Sequence, residues 1–310
     1  MGAVIILFKI FMNSAFQNIF SMYFIMIGAY LLRTQKPYPV ETLNDLLFYF
    51  FLPVTVFYSI VNAPRLQWLI FIKIAGTGFS VLLLSALIAA VFMNRIGAAG
   101  GLRKTFQLGA SYGNHAFIGF PAAYAFSGEN GLLLALFYLI GTYVYLYSVG
   151  FYIMSGKITV SGFVRNPLVL SLAAALLCVS LETKPPPLIL KSMALMNQAT
   201  FPLSMVVVAG GLQPNLFKKA ATLLPVAAAG CIRLIISPLI AYAAGLLLKF
   251  PTDQIGICVL QSAMPTGVLV TIFSIKYEGD PPFSNALVSL TTLLSIALIP
   301  LLFAWLQPIG

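Results

Sequence analysis

Gly109-Ala-Ser-Tyr-Gly-Asn-His-Ala-Phe-Ile-Gly-Phe-Pro121 and Gln261-Ser-Ala-Met-Pro-Thr-Gly267 decide how this chain is read. Each interrupts a long apolar stretch with small residues, polar residues and a proline. Pro121 and Pro265 have no N–H and clash with the preceding turn. Gly113, Gly119 and Gly267 permit backbone excursions and close approach. Both stretches therefore predict helices that break part-way along. Each occupies the matching place in its own half of the chain. In a membrane protein, paired interrupted helices in corresponding positions of two halves point to a transport site.

The surrounding composition places these breaks in a bilayer. The chain has 310 residues, 60% of them hydrophobic and only 8% charged, with a mean hydropathy of +0.99. A soluble domain could not bury that much apolar surface. Roughly 20 apolar residues span a bilayer as a helix. Apolar runs between charges and turn signals give ten predicted spans, at 11–32, 43–62, 66–93, 104–127, 130–154, 167–182, 187–212, 219–248, 254–277 and 283–306. The predicted fold class is an all-α polytopic membrane protein. No cleavable signal pattern follows the first apolar run, so insertion is expected to start with the first span itself.

The net charge of +10 does not imply nucleic acid, because the basic residues are scattered among short loops. There they set orientation and touch anionic lipid. Ten of them, from Arg33 and Lys36 through Lys104, Lys157 and Lys218 to Lys276, fall on one side of the alternating scheme. Six, including Lys9, Arg65, Lys73 and Lys249, fall on the other. The first set is expected in the cytoplasm, with both termini outside an inner (cytoplasmic) or plasma membrane. Cys178, Cys231 and Cys258 lack metal-ligand spacing and are expected to be small packing residues. No metal or cofactor is expected.

An internal repeat organises the spans. The chain divides near Lys157–Arg165 into residues 1–156 and 157–310. Pro53 and Pro64 recur as Pro202 and Pro214, at offsets of 149 and 150 residues. Five spans per half is an odd number, so the halves are expected to have opposite topology, a plan found among secondary transporters.

The chemistry expected at the breaks is neutral. A half-helix starting at Pro265 is expected to leave the N–H groups of Thr266 and Gly267 pointing into the break. Near Pro121 the N–H of Ala122 is expected to do the same, and such positive helix ends favour an anion. Ser111, Tyr112, Asn114, His115, Gln261, Ser262 and Thr266 supply hydrogen bonds nearby. Asn114 is the foremost binding candidate, because its amide both donates and accepts. The competing reading is that these groups satisfy broken backbone or pack helices. Arg233, mid-span, is read either as an anion attractor or, preferably, as a structural cation on the carbonyl end of a broken helix. Lys73 either snorkels or lines the outer entrance. No carboxylate lies mid-membrane, and His115, the one histidine, is a candidate proton switch. With no nucleophile–base pair, carboxylate pair or metal cluster in the spans, an intramembrane enzyme is not expected. A cation-coupled (sodium or proton) symporter, a non-transporting subunit and a channel are the alternatives.

Ile27-Gly-Ala-Tyr-Leu-Leu-Arg33, Phe51-Leu-Pro53, Gly113-Asn114, Gly119-Phe-Pro121, Gly211-Leu-Gln-Pro214, Arg233-Leu-Ile-Ile-Ser-Pro238 and the run from Gln261 through Lys276-Tyr-Glu-Gly-Asp280 together resemble the auxin efflux carrier family. That family includes plant PIN carriers and bacterial carboxylate carriers of the malonate type. The middle loop of about a dozen residues is similar to that of a short-loop bacterial member. The resemblance implies ten spans in a bile-acid-transporter-like fold. It also implies a dimerising scaffold at 11–62 and 167–213, and a moving transport domain at 66–154 and 219–306. A small organic anion would be held near Asn114, where helices cross at Pro121 and Pro265.

Overall fold

The structure is a computed structural model that describes residues 14–63, 67–158, 160–212 and 223–306. Parts of the expected scheme, namely Lys9, Pro64, Arg65, Pro214, Lys218 and Lys219, lie outside the described residues. Among the described residues every regular element is helical. Six helices among the described residues are long and apolar enough to cross a membrane.

In chain order the elements are α1 (Ser14–Gln35), α2 (Val40–Val61), α3 (Trp68–Arg95), α4 (Gly100–Ser111), α5 (Gly119–Ser155) and α6 (Pro167–Ser180). They continue with α7 (Pro187–Gly211), α8 (Leu224–Leu247), α9 (Thr252–Ser262), α10 (Leu269–Lys276) and α11 (Pro281–Leu306). The six long apolar helices are α2, α3, α5, α7, α8 and α11. At 1.5 Å per residue, the 22 residues of α2 reach about 33 Å, enough for a hydrocarbon core. Large apolar side chains such as Phe24, Leu188 and Leu247 remain mostly exposed, as lipid-facing residues do.

Prolines shape two of these helices. Turns with wider, π-type bonding lie at Leu47–Phe51 and Ile232–Ile236, just before Pro53 and Pro238. A proline clashes with the carbonyl four residues earlier, which here is Tyr49 or Leu234, and a widened turn moves that carbonyl aside. In α8 the Ser237 hydroxyl donates to the Ile232 carbonyl at 3.0 Å.

The described residues form two compact units. The first comprises residues 14–63, 67–68, 116–136 and 161–211. In it α6 packs on α2, and α7 packs on α1 and α2. The Thr55 and Thr200 hydroxyls meet at 2.8 Å in this interior, and Thr200 also donates to the Met196 carbonyl at 2.8 Å. The Ser171 hydroxyl donates to the Pro53 carbonyl. The second unit comprises residues 69–115, 137–158, 160, 212 and 223–306. Its core joins Met93 of α3, Phe106 of α4, Ile232 of α8 and Phe283 of α11. Phe106 stacks on Phe92 at 5.5 Å and on Phe283 at 5.9 Å.

One boundary agrees with the sequence reading and one differs. Between expected spans 104–127 and 130–154 helical geometry lapses at Ser127 and Gly128, so α5 is two helices that meet at a kink there. Gly128, at φ 58°, takes a positive-φ conformation that glycine permits. The helix ahead of the first break starts at Gly100, four residues before the predicted Lys104.

Candidate functional site

The second unit contains the paired parts of the two breaks, residues 112–115 and 263–268. Helix α4 stops at Ser111 and α9 at Ser262, 151 residues later. The non-helical backbone that follows each of them pairs antiparallel, with Gly113 opposite Thr266. Asn114 N–H donates to the Pro265 carbonyl at 2.7 Å, and Gly267 N–H to the Tyr112 carbonyl at 3.1 Å. Thr266 N–H donates to Thr291 Oγ1 at 3.0 Å, while its own hydroxyl donates to the Gly109 carbonyl at 3.0 Å. In hydrocarbon each unsatisfied backbone group costs several kcal/mol. The two breaks answer that demand by satisfying one another.

This pairing corrects one expectation. The N–H groups of Thr266 and Gly267 do not point into an open break, and Ala122 N–H donates to the Ile118 carbonyl at 3.0 Å. Helix α10 begins at Leu269 rather than at Pro265, because Pro265 is held extended by the bond from Asn114. Gly119 and Pro121 lie in the first turn of α5, within the first unit.

The side chains of the breaks are mostly engaged with backbone. Ser111 Oγ donates to the Gln107 carbonyl at 2.8 Å and meets Tyr145 Oη at 2.7 Å. Gly113 N–H donates to His115 Nε2 at 3.2 Å, which makes Nε2 the acceptor. The ring is therefore the neutral Nδ1–H tautomer, and Nδ1 donates to the Gln261 carbonyl at 3.1 Å. Glycine at 113 leaves room for both side chains: a Cβ there would lie 2.9 Å from His115 Cε1 and 3.3 Å from Arg233 Cζ and would displace them. Ser111, His115, Gln261 and Thr266 are buried, whereas Asn114 is half-buried. Lys73 lies in α3 and is also half-buried.

Arg233 is fully buried on the widened turn of α8. Its two terminal nitrogens donate to the Ser111 and Ser262 carbonyls. These are the last residues of the two broken helices. Each helix C-terminus carries about −0.5 charge, so two ends offset about one guanidinium. Arg233 thus has the geometry of the preferred sequence reading, a cation on helix-end carbonyls, and it serves two ends rather than one. Sequence reasoning found the arginine but not its partners. Its orphan Nε and the Tyr138 hydroxyl are both buried without a hydrogen-bond partner. Tyr138 stacks at a tilt beside His115, with ring centroids 5.6 Å apart.

Two cavities escaped the sequence reading, because their residues converge from distant segments. One, about 220 Å³ in the first unit, is lined by Tyr58, Tyr124, Glu129, Asn197, Gln198 and Phe201, among others. The other, about 490 Å³ in the second unit, carries three lysines. Among the described residues no three His, Cys, Asp or Glu side chains gather as a metal-ligand set.

The chain is similar to known membrane transport proteins. The sequence pattern of the family described as membrane transport protein matches residues 14–162 and 155–303. An uncharacterized transporter of Methanocaldococcus jannaschii is 26% identical over 284 residues, covering 86% of this chain and 89% of that protein. An uncharacterized transporter of Methanothermobacter thermautotrophicus is 26% identical over 305 residues, covering 94% and 98%.

Proposed function

The chain belongs to the membrane transport protein family, and on that premise we propose that it is a secondary carrier of a small organic anion. The solute class is a carboxylate, such as a malonate-like dicarboxylate or an auxin-like acid. The observation that carries this reading is the mutual pairing of two helix breaks at Gly113 and Thr266 inside an apolar unit. Irregular backbone at membrane depth is tolerated where it is buried in protein or lines a cavity, and transporters place solute there. Asn114 contacts the solute. Ser111, Gly113, His115, Gln261, Thr266 and Gly267 frame it, and the N-terminal end of α10 favours its negative charge. Ten spans form two inverted repeats, 1–156 and 157–310. Solute crosses by an elevator motion of residues 66–154 and 219–306 against a dimerising scaffold of 11–62 and 167–213, with both termini outside.

Coupling to a cation is the competing scheme. A sodium site here would draw on helix-end carbonyls, and Arg233 already occupies those of Ser111 and Ser262. An anion leaving an inside-negative cell gains about 2.3 kcal/mol per charge per 100 mV. That drives roughly fiftyfold export without a coupled ion. The test is counterflow of mono- and dicarboxylates in proteoliposomes, with sodium, pH and voltage varied separately. Voltage-dependent, sodium-independent carboxylate exchange is expected. Exchange of no carboxylate sinks the proposal, strict sodium dependence selects the symporter, and single-channel currents select the channel.

A further inference from the structure

At one end of the second unit, away from the helix breaks, Lys104, Lys157 and Lys276 line a cavity of about 490 Å³. They come from three separate segments: the start of α4, the turn after α5 and the last turn of α10. Glu278 is the one carboxylate among its lining residues, so the lining carries a net charge of about +2. Like charges gathered at the mouth of one cavity repel, and an anion between them relieves that repulsion.

The cavity is built rather than incidental. Phe151 and Tyr277 line it with ring centroids 5.1 Å apart, and behind them both pack against Phe273, at 5.9 and 5.8 Å. The Lys276 ammonium lies 5.6 Å from the Tyr277 ring centre. The loop 277–280 is fastened to α4. Lys104 Nζ donates to the Tyr277 carbonyl, and Asp280 N–H donates to Thr105 Oγ1 at 2.8 Å. A Cβ on Gly101 would come within 2.6 Å of the Gly279 carbonyl oxygen, so the loop and helix touch backbone to backbone. Lys104 keeps further N–H donors beyond that one bond. On the opposite wall Ser155 Oγ accepts from Lys157 N–H at 3.2 Å, which fixes the turn that carries Lys157.

We propose that this cavity binds a phosphate group, held by Lys104, Lys157 and Lys276. Lysine ammoniums bind phosphate as point charges, without the bidentate geometry that arginine would impose. Two sources present this chemistry, an anionic phospholipid headgroup and a soluble phosphate. Basic pockets between membrane helices bind lipid headgroups. Here Tyr152, Ile158 and Ile275 stand exposed beside the lysines, where acyl chains would lie.

The test uses the full-length protein in neutral detergent and follows thermal unfolding. One arm adds phosphatidylglycerol against a phosphatidylcholine control. The other adds inorganic phosphate against chloride at equal ionic strength. A response to phosphatidylglycerol alone supports the site with lipid as its ligand, and a response to both supports it with soluble phosphate as a ligand. Lys157→Gln and Lys276→Gln alter exposed side chains and are expected to leave the unliganded midpoint unchanged. Each is expected to weaken the apparent affinity roughly fivefold, and the double variant roughly thirtyfold. Arg33→Gln, on α1 in the first unit, is expected to leave the response intact. No response to either additive overturns the proposal, as does an equal loss in Arg33→Gln.

Discussion

Arg233→Lys separates the two roles an intramembrane cation can have. The substitution keeps the charge and removes the fork. The guanidinium of Arg233 reaches the Ser111 and Ser262 carbonyls with two different nitrogens. A lysine presents one ammonium, which cannot sit on both helix ends in the same geometry. A hydrogen bond to a charged group contributes about 1.5–3 kcal/mol, so loss of one of the two destabilises by about that amount. For a chain of this length, about 2 °C of midpoint accompanies each kcal/mol, which predicts a fall of about 3–6 °C. Arg233→Met loses both bonds and the charge that offsets two helix C-termini, so its fall is the larger. The assay is thermal unfolding of purified protein in detergent, read beside proteoliposome counterflow. If Arg233 served instead to attract solute, Arg233→Lys would unfold within about 1 °C of wild type and show only a raised KM. That result would refute the clamp.

Asn114→Ala is expected to abolish carboxylate binding while the protein stays folded and monodisperse; unchanged affinity removes Asn114 from the solute site. His115→Gln is expected to lower the unfolding midpoint, because both ring nitrogens hold backbone groups. It leaves the shape of the transport–pH profile as in wild type, whereas a flattened profile would establish His115 as a proton carrier. At the threonine pair, Thr200 donates to the Met196 carbonyl, so Thr55 is the donor between the two hydroxyls. Thr200→Val orphans the buried Thr55 hydroxyl and is expected to cost about 1–3 kcal/mol. Thr55→Val leaves Thr200 bonded and costs less; equal losses in chemical denaturation would contradict that donor assignment.

The breaks were legible in the sequence because proline, glycine and polar residues stand out inside apolar runs. What fills them was not. Pro265 looks like a helix start when only its neighbours are considered. In the structure its carbonyl accepts from Asn114, 151 residues away in the chain, and that pairing delays the helix to Leu269. The same limit applies to Arg233. Its depth in an apolar run marked it as a residue requiring partners, but Ser111 is 122 residues distant, beyond any local pattern. Asn114, Ser111 and Thr266 read alike in the sequence, by their hydrogen-bonding capacity. Burial then distinguishes them, since Ser111 and Thr266 are closed off and Asn114 is half open. In the sequence the three lysines of the large cavity show only a bias toward one side of the membrane. Their convergence depends on the loop 277–280 docking against α4, which charge counting does not see.

The arginine clamp also imposes an order of assembly. The first break is complete once residue 118 has been made, yet the guanidinium that caps α4 follows Ser111 by 122 residues. At synthesis rates of about 5–20 residues per second, that interval is roughly 6–24 seconds. The second strand of the pairing, at Pro265–Gly267, is made later still. During that interval the carbonyl end of α4 has neither its cation nor its antiparallel partner. The nascent chain therefore holds an open helix end until its second half arrives. Residues 1–156 expressed alone would keep that end permanently unclosed, exposed to insertion-machinery surveillance and proteolysis, and would regain protection only when the other half is supplied in the same membrane.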